Sequence, residues 1–297
     1  MTERKYPIAE ANRLSVLLHQ VLGAERFPVA VEELALDYSR QCFPHSPIAK
    51  IVGEKLPGLE GLLQSNQDQS RWVIVYNVAE PSPGRRRFTL AHEFGHYLLH
   101  RHLQSQFACY PRDLSTDDRE LEAEADTFAS FLLMPLDDYR KQVAGHEISF
   151  DLLSHCAERY GVSLTAAVLK WLEITEQRAI LAVARDDHLL WAKSNRAALK
   201  SGAYFATRRH TVEVPDHSIA HSDHCIAPQQ TASIPARVWF PKEPEDMPLT
   251  EMTKVSEQYD YTLTLLRMPE AEWPIHRQEE GASGQDFVDR FTRTERS

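Results

Sequence analysis

Cysteine is scarce and unpaired in this sequence. Cys42, Cys109, Cys156 and Cys225 are the four thiols among 297 residues, far apart and without a CxxC pair. That excludes a disulfide framework and a thiolate zinc site, and leaves reduced structural thiols as the expectation. No window approaches the ~20 apolar residues that span a bilayer, and the opening MTERKYPIAEANRL has no apolar stretch of the signal-peptide kind. A cytoplasmic protein with no membrane partner is expected. Basic residues are outnumbered, 33 Lys and Arg against 43 Asp and Glu, for a net charge of -10. The broad positive footprint of a nucleic-acid binder is missing, so no direct nucleic-acid partner is expected. Internal repeats and low-complexity blocks are absent too.

What remains is an ordinary globular composition, 42% hydrophobic and 26% charged, in a chain long enough for two domains. Apolar residues recur at helical spacing over residues 8–22, with Gly23 as a cap, and again over 29–38. Residues 56–64 and 71–78 read as a strand pair, the second carrying WVIVYN. Two helices follow. RFTLAHEFGHYLLHRH, 87–102, places Phe88, Leu99 and Leu103 on one side. DRELEAEADTFASFLLM, 118–134, begins with a cap at 115–118 and stops at Pro135. A further helical pair covers 151–160 and 164–172 around Gly161. From Arg178 the period changes: RAILAVARDDHLLWAKSN reads as strand, turn and strand, with β-like runs at 238–240 and 261–266. The fold class expected is α+β, a helix-rich domain with a small β-sheet over 1–176 and a smaller β-rich domain over 177–297. The latter ends in a flexible tail at 279–297.

His92 and His96 stand four apart on one helix, so their imidazoles project from adjacent turns about 5–6 Å apart and can meet on one cation. Glu93 lies about 100° around the axis, outside a metal's ligands and beside an activated water, where a general base belongs. An HExxH pattern arises by chance in roughly one chain of this composition in twenty, so a third ligand is required to give it meaning. The next helix offers Glu122 with Asp126 four residues on, or Glu124 with Glu120. The helical wheel places Glu122 and Glu124 on opposite flanks of the apolar stripe and does not choose between them. On the first reading Asp126 orients His92 by accepting its second ring N–H.

Secondary candidates are weaker. WVIVYN is either a buried strand or an exposed edge that pairs with a substrate. His100 and His102 read as surface or substrate-facing groups. His217, His221, His224 and Cys225 fall in a loop that reads as solvated, and Arg85, Arg86 and Arg87 as a solvated approach to the helix. Tyr97, Tyr110, His146 and His155 are candidate oxyanion stabilisers.

RRFTLAHEFGHYLLH, 86–100, together with ELEAEADTFASFLLMP, 120–135, resembles the ImmA/IrrE family of zinc metallopeptidases. There an HExxH helix precedes a helix of the form ExxA(N/D)xFAxxLLMP. Glu122, Ala125, Asp126, Phe128, Ala129, Leu132, Leu133, Met134 and Pro135 match it position by position. The resemblance implies a zincin-like core and assigns Glu122, with His92 and His96, as the metal ligands. It implies Zn2+ as cofactor, with Mn2+ or another divalent ion as the alternative. It also implies cleavage of a helix-turn-helix repressor, relieving transcriptional repression under stress. No helix-turn-helix segment precedes the candidate protease, so the substrate is expected to be a separate chain. The competing reading is a regulatory sensor that sequesters a repressor without cutting it.

Overall fold

The computed structural model describes residues 5–110, 118–256 and 259–270. Helices α1 (Pro7–Leu22) and α2 (Val31–Cys42) open the chain, followed by strands β1 (Ile48–Glu54), β2 (Gly61–Ser65) and β3 (Trp72–Asn77). Helix α3 (Pro83–Leu99), strand β4 (Gln106–Cys109) and helix α4 (Asp118–Leu133) come next. Helices α5 (Leu136–Val143), α6 (Phe150–Tyr160) and α7 (Leu164–Ile174) complete the helix-rich part. Strands β5 (Arg178–Arg185) and β6 (His188–Ser194), helix α8 (Arg196–Lys200), and strands β7 (Gln229–Pro235), β8 (Pro248–Ser256) and β9 (Tyr261–Met268) form the β-rich part. The protein is thus α+β, as expected.

The first sheet runs β1-β3-β2-β4, with β1 parallel to β3 and the other pairs antiparallel. Leu63, Trp72 and Ile74 bury one face against α3, where Phe94, Tyr97 and Leu98 meet them. Helix α4 lies along α3, and Phe128 sets its ring edge-on to Phe94 at 5.8 Å. Gly95 permits this approach. A Cβ there would stand 2.9 Å from the Phe128 ring and 3.3 Å from the Ala125 Cα.

The second sheet is antiparallel throughout, in the order β6-β5-β9-β8-β7. In β5 all residues but Arg185 are buried, because the strand is covered on both faces. Leu181 and Val183, with Met252, Leu263 and Leu265, extend the first core. Ile180, Ala182 and Ala184, with Leu266 and Met268, form a second one around Trp239. Two-sided cover explains the near-continuous apolar run of the sequence. Asp186 and Asp187 close the β5–β6 hairpin at φ 49° and 56°, and Arg185 pairs with His188 across them. Such a two-residue turn needs the left-handed conformation that Asp tolerates.

Several expectations are corrected. Residues 56–60 precede the strand, which begins at Gly61. The run 238–240 is not a strand: a single 3₁₀ turn, Ala236–Val238, follows Pro235 and directs Trp239 and Phe240 into the second core. WVIVYN is an interior strand between β1 and β2, leaving β1 and β4 as the edges. Helix α3 ends at Leu99, so Leu103 is exposed beyond it. The expected cap at 115–117 and the tail at 279–297 lie outside the described residues. Truncation of Phe128 to Ala at the α3–α4 contact is expected to cost about 3–5 kcal/mol of stability in urea unfolding.

Candidate metal centre

Helix α3 is buried at Thr89 and at every residue from Ala91 to Leu99. Its start is fixed by Ser82, whose Oγ accepts the Arg85 N–H at 3.3 Å, and by Pro83 at the first turn. Polar groups on so buried a helix cannot reach water and require partners inside the protein. His92 and His96 direct their Nε2 atoms at a common point, 3.1 Å from each other. Glu122 of α4 spans the pair, with Oε2 3.1 Å from His92 Nε2 and Oε1 3.2 Å from His96 Nε2. Around a tetrahedral ion with bonds of about 2.0–2.1 Å, neighbouring ligand atoms stand about 3.3–3.4 Å apart. The three donors therefore need to part by only a few tenths of an ångström to accept a cation, and the cluster is compatible with a metal site.

Each imidazole has its second nitrogen engaged. His92 Nδ1 lies 2.9 Å from Asp126 Oδ1. His96 Nδ1 lies 3.0 Å from His100 Nδ1, and His100 Nε2 lies 3.0 Å from Glu124 Oε2. The two acids that the helical wheel left equivalent are thus divided, Glu122 toward the triangle and Glu124 toward His100. The Phe107 ring stacks on His96 at 4.6 Å and holds its plane.

These contacts set the protonation states. Burial opposes a charge on His92, yet its hydrogen bonds to Asp126, Cys109 and Glu122 hold its pKa well above the usual value. Burial holds His96 down at about 4, so it is neutral. Burial works against charge on Glu122 as well, but the His92 and His96 imidazoles beside it bring its carboxyl down to about 2. A proton on His92 Nε2 is therefore what a cation must displace.

Glu93 differs from all of these. It has no exposed surface, and neither of its carboxylate oxygens has a hydrogen-bond partner. Burial pushes its pKa up to about 8. Gly61 leaves the space that this side chain fills, because a Cβ there would lie 2.6 Å from both Glu93 Oε1 and Thr89 Cγ2. The thiol of Cys109, a His92 ring nitrogen and a Glu93 carboxylate oxygen all lie within 4.8 Å of one another. Phe107 and Cys109 alternate along β4 and face the site together. Sequence reading missed both, since four residues of strand give little pattern; the alternation in QFAC was the available signal.

Other expectations change. His100 is buried, not surface-facing, because α4 and Phe107 cover it. Tyr97 is buried and donates its hydroxyl to the Ser46 carbonyl at 2.8 Å, which removes it from oxyanion duty. His155 and Tyr110 are exposed, and His146 borders a separate cavity with Trp171 and Arg267. The arginine triplet is not merely solvated: Arg85 pairs with Glu60, and Arg87 donates to the Gly161 carbonyl at 2.5 Å. In the 217–225 loop His221 is ringed by Asp187, Asp216 and Asp223 at 3.7–3.9 Å, and it joins no metal-type cluster among the described residues.

Residues 49–172 match the Peptidase_M78 family model, the IrrE N-terminal-like domain. The ImmA/IrrE resemblance read from the two motifs is thereby shown over this segment, which contains the whole His/Glu cluster. No curated protein matches the chain. A solved structure described as a Mycobacterium tuberculosis transcriptional regulator is similar over 89% of this chain and 76% of its own. Its TM-score is 0.52 and its identity 14%, a likeness of fold. No described helix is long and apolar enough to cross a membrane.

The buried acid gives a signed pH prediction. An unfolded glutamate titrates near 4.5, and Glu93 in the fold near 8. The folded state therefore binds the extra proton between these values, and stability falls as pH rises through them. For metal-free protein, the melting-temperature advantage of Glu93→Gln over the parent is expected to grow from pH 5 to pH 8; a constant difference would refute the shift.

Proposed function

We propose that this protein is a zinc-dependent endopeptidase in which His92, His96 and Glu122 hold the metal, Glu93 is the acid/base and Asp126 orients His92. The family match carries the coarser statement, a peptidase-type domain with a cluster compatible with a metal. One observation supports the finer one: a fully buried carboxylate without a hydrogen-bond partner stands beside three converging donors. A structural metal site has no use for such a group. When bound, a divalent cation supplies Lewis acidity toward the scissile carbonyl and lowers the pKa of water to about 7. Mn2+ fits the same donors and is the alternative.

The residues of the chain do the rest. Glu93, kept near neutrality in its pKa by burial, takes a proton from the attacking water and passes it to the leaving amine. Asp126 accepts the His92 Nδ1–H and turns Nε2 toward the metal position. Strand β4, an edge of its sheet beside the site, offers backbone groups to an extended substrate segment. A separate helix-turn-helix repressor is the proposed substrate, supported by the ImmA/IrrE resemblance and by the structural neighbour described as a transcriptional regulator. Residence in the cytoplasm and a functional division of the chain at 176/177 belong to the same reading. The four unpaired cysteines and the change from helices to strands at Arg178 support them.

Glu93→Gln is expected to abolish cleavage while keeping one bound metal per chain, whereas His92→Ala and Glu122→Ala should lose the metal on dialysis. Equal proteolysis by Glu93→Gln would end the mechanism. Gly61→Ala should also keep the metal yet lose activity by about 10² or more, because its new methyl displaces the Glu93 carboxylate. The substrate can be read from new protein N-termini in native-host cells expressing the parent or Glu93→Gln, with and without DNA-damaging stress. A terminus made only by the parent, in a DNA-binding regulator, is the expected result. No parent-specific terminus under any condition would favour the sequestering regulator.

A further inference from the structure

His92 reaches its supporting acid directly, whereas His96 reaches one through another imidazole. His100 sits at the end of α3, buried, with Nδ1 3.0 Å from His96 Nδ1 and Nε2 3.0 Å from Glu124 Oε2. The protons in this chain of contacts follow from valence. An ionised carboxylate only accepts, so His100 Nε2 carries a proton toward Glu124. A neutral imidazole has one proton, so His100 Nδ1 is bare and accepts. The donor facing it is then His96 Nδ1–H, which leaves His96 Nε2 bare and aimed at Glu122 and His92. The opposite tautomer of His96 would set two bare nitrogens face to face at 3.0 Å.

We propose that His100 and Glu124 are positioning residues for the metal site. They form a two-step relay that fixes the tautomer and ring plane of His96, as Asp126 does in one step for His92. The inference rests on the metallopeptidase reading, in that it takes His96 Nε2 as a metal ligand. Geometry explains the extra step. His92, His96 and His100 rise one turn at a time along α3, while Glu122, Glu124 and Asp126 alternate along α4. Asp126 meets His92, Glu122 stands between the two metal-binding imidazoles, and Glu124 meets His100. Phe107 covers this edge, 4.6 Å from the His96 ring and 6.1 Å from that of His100, and shields the contact from water. An acid that looked redundant on the helical wheel thereby gains a specific task.

The test is zinc affinity, measured by competition with a fluorescent chelator alongside melting of the metal-free protein. His100→Phe keeps a ring of similar size but accepts no hydrogen bond, and should weaken zinc binding by 10–100-fold. His100→Asn, whose Oδ1 takes the place of Nδ1, should recover most of that loss. Glu124→Gln still offers an acceptor and should bind near the parent level, while Glu124→Ala should fall toward His100→Phe. Zinc binding by His100→Phe as tight as the parent's would overturn the relay. A measurement on the unmutated protein stands independent of folding: ring ¹⁵N NMR of the zinc-loaded chain should find the His100 proton on Nε2, toward Glu124, with Nδ1 accepting from His96. Finding it on Nδ1 would also overturn the relay. His92→Ala separates the two levels. If it loses zinc while His100→Phe does not, only the relay fails; if it binds zinc like the parent, the metal assignment itself fails.

Discussion

The close crossing of α3 and α4 is the contact on which the site depends. Gly95 and Ala125 face each other with no room for a larger group, and Phe128 wedges against Phe94 just beyond. That short separation brings Glu122 within 3.2 Å of two imidazoles on the other helix. A wider crossing would leave His92 and His96 buried beside no acid, which protein interiors do not tolerate. The glycine inside the HExxH motif is thus a packing residue, and its packing is what completes the donor set.

The second constraint is the burial of α3 itself. A helix covered on every side would ordinarily carry only apolar residues. Here the polar groups are organised in order of demand. His92 and His96 share Glu122 and have Asp126 and His100 behind them, while Glu93 stands beside them without a partner of its own. Burial then acts in opposite directions on neighbouring groups: it pushes Glu93 up to about 8 and His96 down to about 4. Paired titratable groups driven apart by their surroundings are a mark of acid/base chemistry. The small sheet serves this arrangement at close range, through the missing side chain of Gly61 and the paired Phe107 and Cys109.

The β-rich part is no appendage in packing terms. One face of β5, β8 and β9 supplies Leu181, Val183, Met252, Leu263 and Leu265 to the core that also holds α3. The other face supports a second core around Trp239. There Glu251, fully buried, accepts from Ser218 Oγ at 2.5 Å, from Trp239 Nε1 at 3.2 Å and from the Ile219 backbone. Those hydrogen bonds anchor the histidine-containing loop to β8, so the loop has a structural explanation without a metal.

By itself the sequence determined the periodic elements and the chemistry of one helix. The 3.6-residue pattern, the glycine caps and the stop at Pro135 located the long helices, and the two aspartates located the β5–β6 turn. The spacing of His92, Glu93 and His96 set three side chains on adjacent turns, a purely local property. The third donor was not local. Glu122 and Glu124 are equivalent about their own axis, and only the orientation of α4 against α3 separates them. The same is true of His100, whose burial comes from residues 24 positions later and from a four-residue strand. Strand β8 escaped notice because Glu251 and Thr253 are buried polar groups that break its pattern. WVIVYN reads identically as an edge or an interior strand, since its neighbours come from elsewhere in the chain. Periodicity reports how a segment faces its surroundings; which surroundings it faces is decided by the long-range packing of helices and strands.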